Sequence, residues 1–135
     1  MSAALKLQKA VIARLAESEL LSEIAGTSRI FDQVPYNQPF PFAVVGEITS
    51  KDWSTGTEPG LEHRFVVHIW SRSGGKKQTF AMASAIFQAL HEADLALKGH
   101  RLVNLRHEST DVRREDDGET YHGVLRFRAV TEPLF

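Results

Sequence analysis

Residues 66–80, VVHIWSRSGGKKQTF, carry the residue types and spacing closest to a known chemistry. A β-branched run breaks at two glycines, two lysines follow, and a helical pattern begins. Strand, glycine loop, lysine and helix is the order of a phosphate-binding loop. There, backbone N–H groups cradle the phosphates, a lysine neutralises them and a hydroxyl holds magnesium. The motif is G-x-x-x-x-G-K-[ST]. Gly75 and Lys76 supply the G-K, but Trp70 stands in the place of the first glycine and Lys77 in the place of the hydroxyl. The context fails too, because the motif needs a parallel β-α-β crossover and the flanking strands pair more naturally as hairpins. The stretch reads as a flexible basic connector ending at a helix N-terminus.

The histidines give no metal centre. His63 and His68 lie five residues apart on a strand and point to opposite faces. His91 with His100, and His107 with His122, have no ligand spacing, and His91-Glu92 is followed by Ala-Asp, which removes the H-E-x-x-H pattern. His107 and His122 are expected near each other across the last hairpin, flanked by Glu108 and Glu119, as a polar pair; a metal needs three or four converging ligands. The acidic run 115–119 lacks the D-x-[DN]-x-[DN]-G spacing of a calcium loop and reads as a solvated turn. Cysteine is absent, which excludes disulfides, thiolate zinc sites and cysteine nucleophiles. No G-x-S-x-G and no isolated carboxylate pair in an apolar setting occurs. The expectation is a protein without catalytic residues, cofactor or metal.

What remains is a set of interface candidates. Arg72, Lys76 and Lys77 form the basic connector; Arg113 and Arg114 precede the acidic turn that holds Asp116 and Asp117. Lys51 and Trp53 end a strand in a polar setting, where Trp53 is either an interface anchor or a lid over the sheet edge. Opposite charges steer edge-to-edge docking, so at a subunit seam the connector's expected partner is Asp116-Asp117 of the next copy.

The elements that position these residues follow from periodicity. The chain has 135 residues, 42% hydrophobic and 24% charged, with net charge −1, which fits one globular domain, 1–135, without a general pull toward nucleic acid or membrane. The N-terminus has no signal-peptide order, and the longest apolar run there is far below the roughly 20 residues of a membrane span. Residues 3–17 show a helical stripe through Ala4, Leu7, Val11 and Leu15, and SELLSEIAG makes a short second helical turn stopped at Gly26. RIFDQVP has strand character. Residues 42–53 and 62–72 read as a strand pair around STGTEPG. In the second strand Phe65, Val67 and Ile69 face one side and Val66, His68 and Trp70 the other; both sides are largely apolar, so it is expected to be central and covered at least partly on each side. Residues 80–93 form a helix with Phe80, Ala83, Phe87 and Leu90 on one face, which would bury Phe87 with Phe127. The last third is a hairpin turning at Asp117-Gly118. The fold class is α+β: an antiparallel β-sheet of about four main strands with two main helices packed on it.

Read together, IFDQVP, PFAVVGEITSKDWSTGT, GLEHRFVVHIWSRSGG and ALHEADLALKGHRLVNLRHESTDVRREDDGETYHGVLRFRAVTE resemble the tail-completion (tail terminator) family of tailed phages. The likeness is nearest to the terminators of the gene transfer agents of alphaproteobacteria. It runs from about residue 5 to 132, with E-H-x-x-x-x-x-x-W-S-R-x-G-G and G-H-R-L-V-N-L in order and spacing. It implies a ring, typically hexameric, that caps the head-proximal end of the tail tube, stops its polymerisation and joins it to the head connector. It further implies that DNA passes through the lumen without sequence-specific binding, and that the protein moves from the bacterial cytoplasm into a phage-like particle. No catalytic residue is carried over. The alternatives are a head–tail stopper or adaptor ring, and a DNA- or nucleotide-binding protein built on SRSGGKK. Because Trp70 and Lys77 break the phosphate-loop pattern, the purified protein is expected to hydrolyse no ATP; turnover that disappears in Lys76→Ala would contradict this.

Overall fold

The computed structural model describes residues 2–27 and 29–134. Helix α1 (Ala3–Ala16) is capped by Ser2, whose hydroxyl accepts from the Leu5 N–H at 3.2 Å, and buries Leu7, Val11 and Leu15. Helix α2 (Glu19–Ala25) is capped in the same way by Ser18 and ends at Gly26, where φ is 95°. Strand β1 (Ile30–Phe31) is followed by β2 (Phe42–Asp52), β3 (Leu61–Ser71), helix α3 (Lys77–Leu90), β4 (His100–Arg114) and β5 (Tyr121–Pro133). They form one five-stranded sheet in the order β1-β2-β3-β5-β4, antiparallel except for β1 beside β2.

The four long strands and two long helices agree with the sequence reading; the short turn read at SELLSEIAG is the seven-residue helix α2, and the fifth strand of the sheet is the two-residue β1. RIFDQVP contracts to Ile30–Phe31 because Pro35, Pro39 and Pro41 cannot donate to a ladder. Strand β3 is central, between β2 and β5. All three helices pack on one side of the sheet, α1 over β1 and β2, α3 over β3, β5 and β4. Phe65, Val67 and Ile69 of β3 and Leu125, Phe127 and Ala129 of β5 face them and are fully buried. Phe65 and Phe127 are register partners with stacked rings, centroids 5.3 Å apart. The cover on the two faces of β3 is unequal: the helices bury one face fully, while Val66, His68 and Trp70 on the other, with no helix over them, are half-buried.

Three further expectations change. Helix α3 starts at Lys77, and its sheet-facing side is Thr79, Met82, Ala83, Ile86 and Leu90. Phe80 and Phe87 lie one stripe round, 55% and 38% exposed, so Phe87 is not buried with Phe127. The His107 ring stands between them, edge-on to both, at 5.1 Å from Phe87 and 5.6 Å from Phe127. Apolar residues span such a wide arc of α3 that periodicity fits either stripe; closeness to the sheet decides. Gly123 of β5 marks that closeness, because a Cβ there would sit 2.9 Å from Thr79 Cγ2. The last hairpin turns through residues 115–120, not at two residues, closed by Glu115 N–H to Thr120 O at 2.8 Å, with Gly118 at φ 77°. His107 and His122 are therefore not neighbours; His122 faces Arg113 in the register.

Phe127→Ala should lose about 3–5 kcal/mol in urea unfolding, the cost of an aromatic cavity in a packed core. Phe87→Ala should lose about 1 kcal/mol or less. Equal losses would mean that the Phe80–Phe87 stripe belongs to the core.

Candidate interface

The face that the helices leave open is built by the alternate residues of four strands. On β3 it takes Glu62, Arg64, Val66, His68 and Trp70; on β5 it takes His122, Val124, Arg126, Arg128 and Val130. The register sets Glu62 opposite Lys51 of β2, beside the Arg64–Arg128 pair of β3 and β5. Glu62 is only 4% exposed and binds Arg128 Nε at 2.6 Å, Arg64 at 2.8 Å and Lys51 Nζ at 3.2 Å. The Arg128 hydrogen bond, against the cost of burial, holds its carboxyl down to about 2. Arg64 also reaches Glu108 at 3.1 Å, and Arg126 binds Asp111 at 2.5 Å. Four strands are thereby cross-linked by ions.

Trp53 belongs to this end of the sheet. Its ring lies 4.9 Å from the Arg128 guanidinium and stays 51% exposed, so it is tethered over the lattice without being buried. Lys51 is committed to Glu62.

At the other end of the open face stands a histidine chain. Trp70 stacks on His122 at 3.8 Å; His122 Nδ1 meets Glu115 Oε1 at 2.9 Å, and His122 Nε2 meets His68 Nδ1 at 2.8 Å. With Glu115 accepting from Nδ1–H, His122 Nε2 must accept from His68 Nδ1–H. Gly46 makes room, because a Cβ there would sit 3.1 Å from the His68 ring. On the core side, His63 is fully buried between Ser50 Oγ at 2.7 Å and Thr131 Oγ1 at 2.8 Å. Burial is the leading cause that lowers the pKa of His63, His68, His107 and His122. Among the described residues no group of three His, Asp or Glu side chains is placed to hold a metal ion.

The remaining candidates gather at the same end as the histidine chain. Arg72 lies over the Phe40 ring at 4.2 Å, donates to Thr120 Oγ1 at 2.9 Å, and pairs with Glu119 at 3.4 Å and Asp117 at 3.7 Å. Asp117 in turn accepts from the Thr120 hydroxyl and from the N–H groups of Glu119 and Thr120. Connector and acidic turn thus pair within one chain. Arg113 pairs with Glu115 at 3.4 Å. Lys76, Lys77, Arg114 and Asp116 are exposed and have no ion-pair partner among the described residues. Gly74 and Gly75, at φ 76° and 117°, let the connector turn into α3. The shared face of Arg126 and Arg128 on the last strand places them beside Glu62 or Glu47 from sequence alone, and Arg128 does meet Glu62. The sequence reading missed Arg64 and the His68–His122–Glu115 chain, for which charges two residues apart within apolar strands, at 62 and 64, were a signal.

A one-sided α+β layer with an ion-stitched open face is the frame of a structural protein of the phage tail-completion family, and the chain belongs to that family. The family model for tail completion protein gp17 matches residues 9–132. The chain is 26% identical over 124 residues to tail completion protein gp17 of Bacillus phage SPP1, covering 90% of this chain and 89% of that one. In structure it is similar to a chain of the virion of a native gene transfer agent particle, with TM-score 0.89, 31% identity, and 97% and 98% of the two chains covered. It also shares the fold of the bacteriophage SPP1 gp17 protein, with TM-score 0.64, 22% identity, and 94% and 89% covered.

The histidines give the fold a pH dependence. Folded values below the ordinary one mean that the native state favours neutral rings, so their stabilisation is complete above about pH 6.5 and is lost as the unfolded chain takes up protons below it. Glu62 works in a different window, because its contribution lasts until the pH falls below the ordinary glutamate range toward 2. The urea midpoint should therefore fall between about pH 7.5 and 5.5, and His63→Gln should flatten part of that slope. A midpoint that rises over this interval would show that the rings are charged in the native state.

Proposed function

We propose that the protein is the tail terminator of a phage-like particle: a ring, hexameric in the family's manner, that caps the head-proximal end of the tail tube. It stops tube growth and offers the surface to which the head connector joins. The observation that carries this reading is the near-complete likeness to a chain of a gene transfer agent virion. The molecule's build supports it. A ring needs heterologous contacts, in which one flank meets a different flank of the next copy, and the sheet has two unlike edges, a two-residue β1 and a fifteen-residue β4.

The two ends of the sheet also differ. One carries Lys51 and Trp53; the other carries Arg72, Lys76, Lys77, Arg113, Arg114, Asp116 and Asp117. A cap requires such polarity, because a second surface equivalent to the tube's own end would let polymerisation continue. DNA must slide through the bore without being held, and strand arginines already paired with carboxylates suit that passage.

Mixing the protein with its tube protein and viewing the tubes by electron microscopy tests the reading. Short tubes with a ring at one end are expected. Tubes of unchanged length with bare ends would overturn it.

A further inference from the structure

We propose that the ring's seam, which rests on the terminator reading, forms between the 34–36 turn of one copy and the outer flank of α3 in the next. The turn is an anchor presented in advance. Tyr36 is 94% exposed and Val34 37%, on a loop edged by prolines at 35, 39 and 41. That loop is nevertheless fixed: Arg29 donates to the Pro39 and Pro41 carbonyls at 2.9 and 3.0 Å, and the Gln38 N–H closes a turn onto Pro35 O at 3.2 Å. An aromatic side chain held out on a fixed turn costs little ordering on binding.

The receiving flank lies on the opposite side of the molecule. Phe80 and Phe87 are seven residues apart on one stripe of α3, and the contact of Phe87 with His107 turns that stripe toward β4. The 34–36 turn follows β1, at the far edge of the sheet. Both surfaces lie toward the same end, since Arg72 of the connector that leads into α3 rests on Phe40, which follows the 34–36 turn in the same loop. The height match allows head-to-tail contact without a step. Charge agrees: Lys76 and Lys77 precede Phe80, Asp32 precedes Val34, and none of the three has an ion-pair partner among the described residues. Two complementary flanks at opposite edges make the heterologous contact a ring is built from, and the ring closes when the rotation between copies divides the circle.

Because the chain has no cysteine, Tyr36→Cys and Phe80→Cys each introduce a single thiol. When the two variants are mixed and oxidised within rings assembled on the tube, the main product should be an interchain dimer bridged from position 36 of one copy to position 80 of the next. Tyr36→Asp and Phe80→Asp should each melt like the native protein, since both side chains are exposed, and each alone should form no ring. Mixed together they should stop at dimers, each variant keeping one intact flank. Rings that form without the cross-link, or that persist in both aspartate variants, would overturn the seam and leave the terminator reading standing. Native protein that forms no ring with its tube would overturn both.

Discussion

The helices cover one face of the sheet only, and the rest of the molecule answers to that constraint. Strands β3 and β5 alternate strictly, so burying Phe65, Val67, Leu125 and Phe127 under α3 necessarily turns Arg64, Val66, Arg126 and Arg128 the other way. An open apolar face would invite aggregation. The sequence sets charge among the valines, histidines and Trp70 of this one, and Glu62 organises that charge. Its carboxylate takes one cation from each of β2, β3 and β5, which fixes the register of three strands where no helix braces them. A buried charge pair seldom stabilises more than an apolar pair of the same size, but losing one partner is costly. The lattice therefore specifies the arrangement of the strands more than it adds to stability.

How much of this was legible in the sequence depends on the type of signal. Period-two alternation in β3 and β5 and the capped stripe of α1 are local, and the structure agrees with them. Failures occur where two local patterns compete and a distant contact decides. In α3, Phe80 and Phe87 look as good a core stripe as Met82 and Ile86; the approach of Thr79 to Gly123, on a strand far along the chain, selects the second. Asp117-Gly118 has the composition of a tight turn, yet Asp117 uses its carboxylate on Thr120 and Glu119, which opens the turn to residues 115–120. On β3 the two apolar faces point to at least partial cover of each, which the structure has, but not to which face lies under the helices, because Val66, His68 and Trp70 resemble core residues until their neighbours are known.

The candidate site shows the same division. The sequence locates the charges but not their pairings. Arg72 and Asp117, expected as partners across a seam, are joined within one chain because β3 ends beside the start of β5. The histidines, which lack metal spacing, serve as polar packing. His63 spans Ser50 and Thr131 in the core, and His68 and His122 stack beside Trp70 on the open face. Neutral imidazole is suited to this use. It is flat enough to stack like an aromatic ring, and its two nitrogens satisfy neighbours that a phenyl ring would leave unpaired.

Under the proposed capping role, the subunit's two ends must differ, so that the outward one does not repeat the surface of the tube's own end. Here the difference arises from where chain reversals fall. The β2–β3 reversal places Trp53 and the 53–60 loop at one end, beside the last residues of β5. The reversal from β3 into α3 and the β4–β5 reversal place the connector and the acidic turn at the other. Each end is then fixed by its own contacts, Trp53 on Arg128 in the first, Arg72 on Phe40 and Asp117 in the second. Because those contacts are made within the chain, neither end needs a partner to take shape. A ring built from such subunits would present two different, already ordered surfaces, and the sheet between them, cross-linked by Glu62, would keep the surfaces at a constant separation.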